Sequence, residues 1–145
     1  MLQYTHSNKT ENEMEFYIEA GSSTKRYIET LLPSMLAQLK LTKSKKLLHI
    51  KIDKELVENG TTIPLFGLDT ILVVLKPTRN KIDLGVTLAH ELAHVAQFAK
   101  GILQPTPKGL KWRGKFYGRS VAYLQQPWEI DAFAKQELIF RRAID

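Results

Sequence analysis

From Val86 to Ala99 the chain is apolar nearly all round a helix, so a helix there has to be buried, yet it carries His90, Glu91 and His94. Buried imidazoles need partners. Residues four apart stack one turn above each other on the same face, so His90 and His94 can converge on a single metal ion. Glu91 falls about 100° round the helix from His90, off the ligand positions but within reach of a water beside that ion. The pattern predicts half of a zinc site built to activate water. Zinc brings the pKa of water from about 15.7 toward about 7, and a neighbouring carboxylate can take the proton and return it to a leaving amine. With Leu88, Leu92, Val95 and Ala99 as the core stripe, His90, His94 and Gln97 face the opposite way, as the wall of a cleft. A hydrogen-bonded histidine pair without metal is the plainer alternative.

The chain has 145 residues and no cysteine. That length suits one domain, residues 1–145, with a core of its own. The missing cysteines exclude disulfides, thiolate metal sites and cysteine nucleophiles, leaving histidine and carboxylate as metal ligands. A catalytic zinc commonly takes three protein ligands and one exchangeable water. No histidine follows His94, so the third ligand is sought among Glu129, Asp131, Glu137 and Asp145. Glu129 is the best placed. It lies in the first turn of a helix opened by Pro127, and it shares a face with Ala132, Phe133, Gln136 and Phe140. A first-turn glutamate can also serve simply as a helix-start carboxylate.

In chain order, residues 1–12 read as a loose terminus or irregular strand, with His6 inert. Met14, Phe16 and Ile18 alternate with polar neighbours as a half-buried strand ended by Gly21. Ser22 or Ser23 caps a helix with Tyr27, Leu31, Met35 and Leu39 as its core stripe, which Pro33 is expected to kink or split. Leu48, Ile50 and Ile52 mark a second strand, with His49 as a surface residue. Turns are expected at Glu58–Asn59–Gly60 and at Gly67, then an apolar strand from Thr70 to Leu75. Asn80 or Asp83 caps the histidine helix, which runs from about Leu84 to Lys100 and stops at Gly101. A loop through Pro105, Pro107 and Gly109 leads to one strand, Leu110 to Tyr117, and the last helix spans Pro127 to about Ala143.

The formal net charge is +6, and Lys100, Lys108, Lys111, Arg113, Lys115 and Arg119 fall in a stretch without an acidic residue. Such a stretch suits phosphates or an acidic partner, while a solvated basic surface is the plainer reading. The longest apolar run, Thr70 to Leu75, is too short to span a bilayer, and no apolar signal segment opens the chain, so the expectation is a soluble, cytoplasmic protein.

The run His90-Glu91-Leu92-Ala93-His94, followed by Pro127-Trp128-Glu129-Ile130-Asp131-Ala132, resembles the zincin metallopeptidases of the gluzincin type. The second helix resembles that of proteases related to ImmA and IrrE, and Trp112-x-Gly114-x-x-Tyr117 resembles small phage-encoded metallopeptidases. The likeness covers roughly Leu84 to Ala134. It implies a compact α+β fold, a small twisted mixed sheet with the histidine helix and the C-terminal helix packed around Zn2+. It further implies His90, His94 and Glu129 as ligands, Glu91 as general base, peptide-bond hydrolysis as the reaction, and Thr70–Leu75 as the strand bordering the substrate cleft. Tyr117 or Tyr123 is a candidate donor to the oxyanion. There are departures. Phe133 stands where many gluzincins place a polar residue that orients the first histidine, and Asp131 is expected to face away, so that support must come from elsewhere. SprT-like proteases use a downstream histidine that this chain lacks. The rival readings are a non-catalytic zinc-binding structural or regulatory module, and a nucleic-acid-associated protein using residues 100–119.

Overall fold

The computed structural model describes residues 14–65 and 67–145, with the backbone of residues 2–6. Its first sheet has five strands: β1 (Leu2–His6), β2 (Phe16–Gly21), β3 (Leu47–Ile52), β4 (Gly60–Leu65) and β5 (Thr70–Leu75), in the order β1-β2-β3-β5-β4. The three inner strands run parallel, and each edge strand is antiparallel to its neighbour. β1 is therefore a regular paired strand rather than a loose end, while residues 7–12 of that expectation and the His6 side chain lie outside the described residues. β5 reads as a continuous apolar run because it is central: Ile71, Val73, Val74 and Leu75 are all buried.

Between β2 and β3 lies α1 (Ser22–Gln38), which packs Ile28, Leu31, Leu32, Met35 and Leu36 into the core. It is capped by extended Gly21 without a side-chain bond, so neither Ser22 nor Ser23 plays the part expected of it. The helix runs unbroken through Pro33, and the split does not occur. At its far end Lys40 N–H bonds Ala37 O and Leu41 N–H bonds Leu36 O, a paired closure that puts Lys40 at φ 57°.

α2 (Lys81–Ala99) starts at Asn80, whose side chain accepts from Ile82 and Asp83 N–H, and stops before Gly101 at φ 73°. It is buried on every side between Leu84 and Gln97, lying against β4 and β5 with its inner face. α3 (Pro127–Ile144) lies across α2 and α1 as the outer layer.

The segment between α2 and α3 is a second sheet, not a loop and one strand. β6 (Leu103–Thr106), β7 (Gly109–Trp112) and β8 (Lys115–Gly118) form an antiparallel meander, followed by a 3-10 turn at Tyr123–Gln125. The run from Leu110 to Tyr117 is broken at Arg113 and Gly114, whose φ values of 51° and 85° reverse the chain as a hairpin. The whole is a mixed α+β arrangement, and among the described residues no helix is long and apolar enough to cross a membrane.

Candidate metal centre

The polar residues His90, Glu91 and His94 of α2 open onto a cleft of about 610 Å³ between β4, α2 and the start of α3. Tyr123, Glu129, Phe133 and Gln136 line it from the other wall. Glu129 Oε1 lies 2.9 Å from His90 Nε2 and 3.1 Å from His94 Nε2. One ligand atom from each of these three buried residues falls within 4.8 Å of the other two, an arrangement that could hold a metal ion.

The hydrogen bonds behind the imidazoles test that fit. Gln97 Nε2 donates to Trp128 O (3.0 Å) and Asp131 Oδ2 (2.9 Å), which can only accept. Its Oε1 must then face His94 Nδ1, at 2.7 Å, and fixes the proton on that nitrogen. Gln136 Oε1 lies 2.8 Å from His90 Nδ1, placed to accept from it. With the proton at Nδ1, a neutral ring aims its Nε2 lone pair at the carboxylate oxygen of Glu129. Lone pairs facing an anion at 3 Å need positive charge between them. Two imidazoliums would supply it, but their ring centres are 4.9 Å apart in a buried site, and like charges so close repel. A single shared cation meets the need with one centre, so the donor set fits a metal.

The titration behaviour follows from the same contacts. Burial pushes Glu129 up, but in the metal-free site the His90 and His94 rings, which donate from Nε2 once they carry a second proton, bring it down to about 2 through those hydrogen bonds and then through their charges. Burial pushes His94 down, but the Glu129 hydrogen bond and charge, helped by Gln97, leave it above its ordinary value. Glu91 is raised by burial, against a hydrogen bond donated by Thr62 Oγ1 to its Oε1 at 2.7 Å. Tyr123 donates to Glu129 Oε1 at 3.1 Å, and burial followed by the Glu129 charge pushes its phenol up to about 12.

Other residues expected at the site lie apart from it. Tyr117 packs edge-on against Trp128, ring centres 5.7 Å apart, outside the cleft lining. β5 is paired on both edges and does not border the cleft; β4 does, through Gly60, Thr61 and Thr62. Asp131 does not face away idly: it anchors Gln97, and also pairs with Lys135 at 3.0 Å. Glu137 lines a different hollow, Asp145 ends α3, and Phe133 lies against the His90 ring at 4.6 Å. His49 is half-buried rather than on the surface, 3.4 Å from Glu19 and edge-on to Tyr17.

Sequence reasoning missed the supporting roles of Gln97, Gln136, Thr62 and Gly60. The signal for the glutamines was their spacing: Gln97 is three residues past His94 and Gln136 seven past Glu129, one and two turns along the ligand faces. Thr62 and Gly60 come from β4, which carries no readable alternation. A Cβ on Gly60 would stand 2.9 Å from Glu91 Cγ and 3.0 Å from Thr87 Cγ2, so glycine is what lets the edge strand approach Glu91. Comparison of the chain with protein-family models, curated proteins and solved structures returns no match.

Proposed function

We propose that the protein is a zinc-dependent peptide-bond hydrolase of the zincin kind, with His90, His94 and Glu129 as ligands. The observation that carries this reading is that Glu91 lines the same open cleft as the three converging ligand atoms, a cleft walled by an edge strand. Two imidazoles and a carboxylate are a donor set that suits zinc in catalytic sites. Bound zinc supplies Lewis acidity, polarising an amide carbonyl and making water a nucleophile near neutral pH. Thr62 holds Oε1 of Glu91, which leaves Oε2 to accept the proton of the attacking water and hand it to the leaving amine. A carboxylate raised by burial is matched to that exchange. The Tyr123 hydroxyl, kept protonated far above neutral pH, would turn from Glu129 Oε1 to donate to the oxygen that gains charge as the carbonyl is attacked. Among the described residues β4 is paired on one edge only, so an extended peptide can add to the other through main-chain hydrogen bonds and lie across the cleft.

The test is metal content and digestion of an unfolded protein, with and without chelator. The wild type is expected to bind one zinc and to cleave only when loaded. Glu91→Gln keeps the zinc and loses cleavage by about a hundredfold or more, the usual contribution of a general base. Full activity in that variant removes Glu91 from the chemistry. Stoichiometric zinc with no cleavage by the wild type would favour a non-catalytic metal module.

A further inference from the structure

On the other side of Gln97 from the metal centre, the ends of α1 and α2, the middle of α3 and the β7–β8 turn enclose a groove of about 410 Å³. It shares Lys40 and Lys100 with a second hollow of about 350 Å³ around residues 40–46, so the two form one track. Along it stand Lys40, Lys43, Lys45, Lys100, Arg113 and Arg142, none with a carboxylate partner among the described residues. The two other cations of the track, Lys46 and Lys135, are paired with its only carboxylates, Asp69 at 3.1 Å and Asp131 at 3.0 Å. Eight cations against two carboxylates give the track a formal charge of +6, as large as the excess of the whole chain. Charge at that density makes a local positive field that draws an anionic partner.

Helix ends account for part of this. Lys100 Nζ donates to Leu39 O at the end of α1, where a cation is favoured. They do not account for Lys40 and Arg113. Both have left-handed backbones, φ 57° and 51°, where glycine or asparagine is easier, and both put a long cation on the groove instead. Trp112 lines the same groove, with the Arg113 guanidinium 5.5 Å from its ring centre.

We propose that this track binds the backbone of a single-stranded nucleic acid, with phosphates on the unmatched cations and a base against Trp112. An unpaired base offers a face for stacking, which a duplex withholds. Of the six basic residues in the acid-free stretch 100–119, only Lys100 and Arg113 line the track. The binding surface is assembled across elements rather than lying along that stretch.

The experiment measures anisotropy of a labelled oligothymidylate about 12 nucleotides long with the zinc-loaded protein. With about four phosphate contacts, each adding about 0.7 to the salt slope, affinity is expected to fall about fiftyfold between about 50 and 200 mM salt. The double variant Lys40→Asn with Arg113→Asn is expected to bind about tenfold more weakly, with a slope smaller by about 1.4. Its melting temperature should hold or rise, because asparagine suits both backbones and Asn-Gly suits the β7–β8 turn. The control, Lys76→Asn with Arg79→Asn, removes the same charge at two exposed positions outside the track. The proposal is overturned by unchanged affinity in the first double variant, by equal weakening in the control, by tighter binding of duplex than of single strand, or by equal competition from polyglutamate. Cleavage enters none of these readouts, so either outcome leaves the hydrolase reading where it stood.

Discussion

A neutral imidazole has one donor and one acceptor, so whatever accepts from Nδ1 decides where the Nε2 lone pair points. At His94 that decision belongs to Gln97, whose amide is 2% exposed and uses its oxygen and its nitrogen on three partners. Gln97→Leu would keep the volume and remove all three bonds, leaving the buried His94 Nδ1 proton without a partner. The variant is expected to lose about 10–100-fold in zinc affinity, the usual effect of removing the group that orients a ligand histidine. It should also lose about 1–3 kcal/mol of stability for the stranded buried polar group. Competition for zinc against a chromophoric chelator reads the first quantity and urea unfolding of the metal-free form the second. Zinc affinity within about twofold of wild type would mean that packing of the His94 ring, not the amide, sets its orientation.

Two helices bring the ligands together, and a small contact far from the metal fixes their spacing. Gly85 lies on α2 under the Phe140 ring of α3, with the Tyr27 hydroxyl beside it, itself donating to Lys81 O at 2.7 Å. A Cβ there would intrude on the ring, so Gly85→Ala has to push α3 off α2. Glu129 rides on the same helix about 16 Å away, and a tilt moves it from the imidazoles. The expected result is a loss of about 1–3 kcal/mol together with weaker zinc binding, partly restored by adding Phe140→Leu. An unchanged unfolding midpoint would show that the ring simply swings aside. Both of these helices could be read in the sequence, since Asn80, Gly101 and Pro127 punctuate them and their apolar faces are long. The edge strand could not: Gly60 to Leu65 is only partly buried, includes Pro64 and lacks alternation. The family resemblance put the cleft border at Thr70–Leu75, although an unbroken β-branched run means burial from both sides and so two strand neighbours. The β7–β8 hairpin was hidden by Arg113, which occupies a position where asparagine would have announced the turn.

Across the whole molecule the candidate metal centre would tie two layers together, since α3 rests on α2 and α1 and its Glu129 converges with two α2 side chains. A ligand that binds only the folded chain stabilises it, by about 2.7 kcal/mol at a free concentration 100 times its Kd. Protons compete for the same tie. In the metal-free protein the Glu129 carboxylate favours protonated His94 and raises its pKa above the ordinary 6.5. That contribution to stability is fully present below 6.5 and is lost as pH rises through the raised value. Zinc needs the neutral ring, so its stabilisation changes in the opposite sense over the same window. Melting temperatures of chelated and zinc-loaded protein should therefore lie close together near about pH 5.5 and separate by about 8, the zinc-loaded form higher. Replacing Glu129 with glutamine should remove most of that separation, because the third ligand and the anion that retains the proton are the same group. Parallel melting curves across the pH range would instead place the zinc away from His94, and with it the tie between α2 and α3.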